Sequence, residues 1–226
     1  MSELVCGMHH EDPWRVFRIM AEFVDGFETM SKVCPAVTIF GSARVKRTDA
    51  DYKAAQKIAR QLAKNHFAII TGGGPGIMEA ANRGAAEVKG RSIGLNITLP
   101  NEQKPNRFSN VPVNFHYFFA RKVCLAKYSM GFIFMPGGFG TLDEFFEILT
   151  LVQTGRMPHF PLILYRKRYW KGLFAWMKSA MEDDRFIDAG DRELVQLTDS
   201  ADEVVDIMLK YQRRVGVPQD LPRGFV

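Results

Sequence analysis

The stretch Gly131-Phe132-Ile133-Phe134-Met135-Pro136-Gly137-Gly138-Phe139-Gly140-Thr141 decides the fold. Its first five residues are a short apolar run of the kind that fills a strand covered on both faces, and the rest is a turn rich in glycine. Residues 142–153 then place apolar side chains at helical spacing, so the segment reads strand, glycine loop, helix. The same unit occurs earlier. Residues 67–71 are apolar and partly β-branched, Gly72-Gly73-Gly74-Pro75-Gly76 closes them, and residues 77–89 form a helix with Gly90 behind it.

Outward from these two units the alternation continues. Residues 36–40 read as a buried strand ending in Gly41-Ser42-Ala43-Arg44, followed by a helix over 49–64. Strands are predicted at 92–98, 113–118, 161–165 and 194–198, with a polar loop at 99–112 and helices at 119–128, 170–182 and 201–212. Before them, Asp12-Pro13 reads as a helix start, and Val16, Phe17, Met20, Phe23, Val24, Phe27 and Met30 keep helical spacing up to Cys34-Pro35. Strands and helices in this order predict an α/β, Rossmann-like, doubly wound and mostly parallel sheet of about seven strands with helices on both faces. We expect one domain over 1–226: an N-terminal helical extension (1–35), the core (36–212) and a tail (213–226).

Composition agrees and narrows the function classes. With 226 residues, 46% hydrophobic and 24% charged, the chain has enough apolar material for one core, which excludes a disordered or collagenous protein. No apolar run reaches the roughly 18 residues that span a bilayer, and the first residues lack the basic-then-apolar pattern of an export signal, so a cytosolic location is expected. Three widely spaced cysteines (Cys6, Cys34, Cys124) fit reduced thiols. His9-His10, His66, His116 and His159 show no metal-ligand spacing, and no metal site is expected. The net charge of +5 leaves an anionic partner open. The aromatics Tyr165, Tyr169, Trp170, Phe174 and Trp176, interleaved with Arg166, Lys167, Arg168 and Lys171, read as a packed helix with a basic flank rather than a nucleic-acid surface.

In a parallel sheet both glycine loops fall at the carboxyl ends of strands, where ligands bind. Glycines let a ligand approach the backbone, and the following helix offers unpaired N–H groups to phosphate; the other reading is a plain tight turn. Neither loop is a dinucleotide fingerprint, because the third glycine position holds Ile77 in one and Asp143 in the other. No G-x-x-x-x-G-K-[ST] occurs either, which leaves a monophosphate or a similar small anion. Glu144 sits four positions after Gly140, in the first helical turn, either facing a ligand held by the loop or simply complementing the helix dipole. Arg121-Lys122 opens a helix at the same sheet edge, against its dipole, so that a bound anion would offset the local cost; a solvated basic pair is the alternative. Cys124 reads as a core residue.

Pro136-Gly137-Gly138-Phe139-Gly140-Thr141-Leu142-Asp143-Glu144 resembles the P-G-G-x-G-T-x-x-E signature of the cytokinin riboside 5′-monophosphate phosphoribohydrolases, long labelled "lysine decarboxylase-like". Phe40-Gly41-Ser42, Thr71-Gly72-Gly73-Gly74 and Arg121-Lys122 follow the family in order, and the resemblance covers roughly residues 36–212. It implies hydrolysis of the N-glycosidic bond of a nucleoside 5′-monophosphate to free base and ribose 5-phosphate, with neither metal nor organic cofactor. It also implies Arg121 and Glu144 as catalytic residues. Gly41, Ser42, Gly73, Gly74, Glu102, Lys122, Gly137, Gly138, Gly140, Thr141 and Thr150 are implied as substrate contacts. A homodimer or higher homo-oligomer follows from the same resemblance. The second glycine loop and the extra N-terminal helix are similar to the bacterial branch. Two alternatives remain: a nucleosidase acting generally on nucleotides such as AMP, and a non-catalytic carrier, because the same loops resemble those of molybdenum-cofactor carrier proteins. No lysine stands in a context that marks a pyridoxal phosphate Schiff base.

Overall fold

The computed structural model describes residues 12–98 and 104–216, with side chains from Trp14 onward. Cys6, His9, His10, the loop residues 99–103 with Glu102, and the end of the tail from 217 lie outside the described residues.

The elements are α1 (Asp12–Met30), β1 (Ala36–Phe40), α2 (Ala50–Lys64), β2 (Ala68–Thr71), α3 (Ile77–Ala86), β3 (Ser92–Ile97), β4 (Val111–Phe115), α4 (Phe118–Lys127), β5 (Phe132–Phe134), α5 (Phe139–Gln153), β6 (Leu162–Tyr165), α6 (Lys167–Met177), β7 (Val195–Thr198) and α7 (Ala201–Val215). The seven strands form one sheet in the order β4-β3-β2-β1-β5-β6-β7, and every pairing is parallel. The chain winds outward from β1 through β2 and β3 to β4, then returns to place β5 on the other side of β1. The connections after β1 and β5 therefore diverge, and a crevice opens between them at the strand carboxyl ends.

Aromatic packing fixes this centre. Phe40 and Phe134 stack with ring centroids 5.1 Å apart, Phe145 of α5 meets Phe134 edge-on at 5.3 Å, and Trp170 of α6 packs on Phe145 at 5.6 Å. Trp170 is fully buried, while Tyr169 and Trp176 are exposed; α6 is a packed helix with an outer polar and aromatic flank. On the β2–β3 side the buried Asn82 side chain accepts from the Thr71 hydroxyl (2.6 Å) and donates to Ser92 Oγ (2.9 Å) and the Ile93 carbonyl (3.1 Å). Those bonds satisfy a polar group that would otherwise be costly to bury, and they lock α3 to both strands.

Several boundaries differ from the sequence expectation for identifiable reasons. The fourth strand lies two to three residues earlier, because the Glu22 carboxylate of α1 accepts the backbone N–H groups of His116 (2.8 Å) and Tyr117 (3.2 Å). These bonds end the strand and satisfy donors just ahead of α4. Pro112 is tolerated inside β4 because that strand is at the sheet edge, where a missing N–H costs nothing. The helix expected over 170–182 begins at Lys167, ends as α-helix at Met177 and continues as a π-turn to Glu182. No helix among the described residues is long and apolar enough to cross a membrane.

Candidate active site

The crevice between β1 and β5 holds a cavity of about 700 Å³. One wall is the turn after β1. Its Ser42 amide donates to the Pro136 carbonyl (3.0 Å) and its Ser42 carbonyl accepts from Ile77 N–H (3.0 Å), so the three loops that follow β1, β2 and β5 are stitched together by backbone bonds. Gly41 is required there: a Cβ would stand 2.6 Å from Ile77 Cγ2.

The opposite wall is the start of α5. That helix begins at Phe139, three residues before the sequence expectation, with Gly138 as an N-cap that supplies no side-chain hydrogen bond. The Thr141 and Leu142 amides turn back to the Gly138 carbonyl, which leaves the Phe139 and Gly140 amides at the cavity wall as donors for an anion. The Tyr169 hydroxyl, donating to the Gly137 carbonyl, props this loop from α6. The earlier start also moves Glu144 from the first turn to the sixth helical residue, beyond the reach of the dipole argument that would have explained it as a structural residue.

Glu144 is 8% exposed and lines the cavity, and its Oε2 is buried with no hydrogen-bond partner among the described residues. Burial raises its pKa to about 7; Lys122 and Arg121 pull it down, and Glu147 and Asp143 push it up. Arg121 lies beside it on α4. Its Nε donates to the Leu95 carbonyl (2.7 Å) and its Nη2 to the Gly72 carbonyl (3.2 Å), which pins the guanidinium across the ends of β3 and β2. Burial lowers the pKa of Arg121 and the Glu144 charge raises it; the group stays cationic at neutral pH. Gly72 makes room for it, because a Cβ there would overlap Nη2.

The structure brings Gly41, Ser42, Arg121, Gly137, Gly138, Gly140, Thr141 and Glu144 to this one cavity. Four other sequence candidates lie outside its lining. Lys122 points to the flank of α5, where Nζ pairs with Asp143 (2.9 Å) and Glu147 (2.8 Å). Gly73 adopts φ +72 against the Asn96 side chain, and Gly74 offers its carbonyl to Asn106 (3.1 Å). Thr150 is exposed on α5 and donates to the Phe146 carbonyl (2.7 Å). The cavity also recruits residues the sequence analysis passed over: Gly72 and Arg44, and an apolar set comprising Phe40, Met78, Ile97, Phe118, Leu125, Phe139 and Leu142. For Gly72 a signal was available, since it is the first residue past β2 and so stands at the strand's carboxyl end. The apolar set had none, because its members come from five separate elements, β1, α3, β3, α4 and α5. Among the described residues no cluster of His, Cys, Asp or Glu is arranged to hold a metal ion.

With this geometry in view, the similarities are informative. A family model described as "possible lysine decarboxylase" matches residues 78–208. A cytokinin riboside 5′-monophosphate phosphoribohydrolase of Arabidopsis thaliana is 27% identical over 176 residues, which are 76% of this chain and 80% of that protein. A protein of the same name from the bacterium Rhodococcoides fascians is 26% identical over 156 residues, 64% of this chain and 75% of its own. Among solved structures, the molybdenum cofactor binding protein of Rippkaea orientalis superposes with a TM-score of 0.57 at 21% identity, over 78% of this chain and 96% of that one. The Chlamydomonas reinhardtii molybdenum cofactor carrier protein gives 0.56 at 19%, over 79% and 98%. These two likenesses show the shared fold. The matched model spans more than half the residues, including all of α4 and α5, and the chain belongs to the family of the cytokinin riboside 5′-monophosphate phosphoribohydrolases, whose model carries the older lysine decarboxylase description.

Proposed function

We propose that the protein hydrolyses the N-glycosidic bond of a nucleoside 5′-monophosphate, releasing the free base and ribose 5-phosphate. The observation that carries this reading is the buried carboxylate oxygen of Glu144, without a partner among the described residues, beside the pinned Arg121 guanidinium in a cavity whose wall is a helix N-terminus. The Phe139 and Gly140 amides, with Ser42 and Thr141, take the phosphate. As the C1′–N bond lengthens its electron pair leaves with the base, and positive charge grows on the ribose, where the Glu144 carboxylate stabilises it. The same carboxylate orients the water whose oxygen bonds to C1′ and accepts the water's proton. Arg121 supports the negative charge developing on the departing base or on the phosphate. Gly73 and Gly74 act at one remove, by holding the loop that carries Gly72.

The names of the relatives and the apolar side chains of the cavity support a base bearing an apolar substituent, as in isopentenyladenine. Incubation with a panel of nucleoside monophosphates, read by chromatography, tests both levels. Free base and ribose 5-phosphate are expected, with the highest kcat/KM for the isopentenylated nucleotide. AMP as the better substrate would move the reading to a general nucleosidase, and binding without products would overturn hydrolysis altogether.

Lys122 has a different part in this scheme from a substrate contact. Burial works against its charge, but bonds to Glu147 and Asp143 raise its pKa, and it neutralises the two carboxylates that flank Glu144 on α5. Lys122→Met leaves those charges unopposed. The acid limb of the kcat/KM profile, expected near 7 from Glu144, should then move up by about one pH unit, while the alkaline plateau stays within about threefold. A uniform loss at every pH would instead make Lys122 a nucleotide contact.

A further inference from the structure

Two cations line the cavity, Arg44 and Arg121. Arg121 is committed, with Nε and Nη2 bonded to the Leu95 and Gly72 carbonyls at the ends of β3 and β2. Arg44 is not. It stands in the turn after β1, exposed, and its side chain makes no hydrogen bond or ion pair among the described residues. Arg47, three residues on, is by contrast held by Glu79 (2.7 Å) outside the lining. An exposed arginine is ordinarily a solvated charge. The backbone sets this one apart: the Arg44 N–H donates to Ser42 Oγ (3.1 Å), and Ser42 is bonded through its amide to the Pro136 carbonyl and through its carbonyl to the Ile77 N–H. Pro136 and Gly137 lead directly into the free amides at the start of α5, so the root of the Arg44 side chain is fixed beside those donors. Accepting from Arg44 also leaves the Ser42 hydroxyl proton free to point at a ligand.

We propose that Arg44 is the residue that selects a phosphorylated substrate, its guanidinium pairing with the 5′-phosphate at the start of α5, and that Arg121 is thereby left to the departing base. This rests on the reading of the cavity as a nucleotide site. Charge balance calls for such a group. A phosphate ester carries about −1.5 to −2 at neutral pH, and the start of a helix offers only about +0.5. Asp143 and Glu144 line the same cavity, and Lys122, which pairs with Asp143, lies outside the lining. Of the lining cations, Arg44 is the one whose donors are not already spent among the described residues. The sheet order argues the same way. Neighbouring strands lie about 4.8 Å apart, so in the order β3-β2-β1-β5 the strands that anchor Arg121 stand roughly 10 to 14 Å from β5. Arg44 follows β1, the strand next to β5. A nucleotide with its phosphate at the loop after β5 lays its ribose at Glu144 and its base toward Arg121.

Calorimetry on the full chain with inorganic phosphate and with ribose 5-phosphate reads the pairing without any turnover. Arg44→Ala should weaken both ligands about 30-fold, and Arg44→Lys, which keeps the charge and loses the fork, by less than about tenfold. Because Arg44 is exposed, both variants should melt within about a degree of wild type. With AMP and isopentenyladenosine 5′-monophosphate as substrates, Arg44→Ala should raise KM by about the same 30-fold and leave kcat within about threefold. Arg121→Ala should do the reverse, lowering kcat while phosphate affinity stays within about threefold. A wild type that binds phosphate through Arg44 yet releases no base supports the pairing and removes the hydrolase reading instead. Unchanged phosphate affinity in Arg44→Ala overturns the proposal. So does a loss of phosphate affinity in Arg121→Ala as large as that in Arg44→Ala, which assigns the phosphate to Arg121.

Discussion

Glu144→Gln should fold, bind the nucleotide and lose base release by about 10³-fold or more in kcat/KM, because the amide can neither stabilise an oxocarbenium-like charge nor accept the water's proton. The same substitution should make the protein more stable above neutral pH. The carboxyl titrates at about 7 in the folded chain against 4.5 when unperturbed, so the folded state holds its proton more tightly than the unfolded chain. The stabilisation from that proton is complete below about pH 4.5 and is lost as pH rises through 7. Glutamine imitates the protonated acid at every pH. The melting temperatures of variant and wild type should therefore run together near pH 4.5, separate between 4.5 and 7, and stay apart above it, with a ceiling on the order of 3 kcal/mol for this well-buried group. Wild-type turnover in the Gln variant would sink the mechanism. Parallel melting curves from pH 5 to 8 would show that burial does not load this carboxylate. A separated pair of curves with no loss of turnover would place the strain without the chemistry.

The strand-glycine-helix units at 67–89 and 131–153 were legible because buried parallel strands write continuous apolar runs and glycine follows where the backbone turns at their carboxyl ends. Once two such units are placed in one winding, the crevice between β1 and β5 follows, and so does the gathering of Gly41, Gly137 and Glu144. What stayed hidden depends on side chains that reach across the sheet. Glu22 ends β4 from 94 residues away, and no local pattern near His116 announces it. Arg121 and Lys122 look alike as a basic pair, yet successive helical residues point about 100° apart. One reaches over the sheet to the carbonyls of Leu95 and Gly72, and the other turns out to Asp143 and Glu147. The start of α5 was misplaced for a related reason: Phe139-Gly140-Thr141 has poor intrinsic helix propensity, and it is helical because Gly138 accepts the bonds of the next turn.

Gly72 is the position where the hidden geometry makes its sharpest demand. A methyl group there overlaps Arg121 Nη2 and approaches Met78 Sδ within 2.9 Å. The backbone of Gly72 does not need glycine for its own sake, since positive φ occurs at its neighbour Gly73 instead. Gly72→Ala should therefore leave the strand and the loop in place, and push the guanidinium off the Gly72 and Leu95 carbonyls. The expected result is a loss of about 10²-fold in kcat/KM with a melting temperature lowered by only a few degrees, matching the loss in Arg121→Ala. The double variant should be no worse than either single one, because both remove the same positioned charge. Arg121→Lys should not rescue: an ammonium cannot bridge two carbonyls and still present an edge to the substrate, as the planar fork does. Gly73→Ala separates this effect from ordinary loop damage. Its cost comes from φ +72 and from contact with Asn96, so its melting temperature should fall further while the pH profile of the remaining activity keeps its shape. If Gly72→Ala keeps full activity, the carbonyl-pinned position of Arg121 is not the one used in catalysis, and the guanidinium must act from elsewhere along the cavity wall.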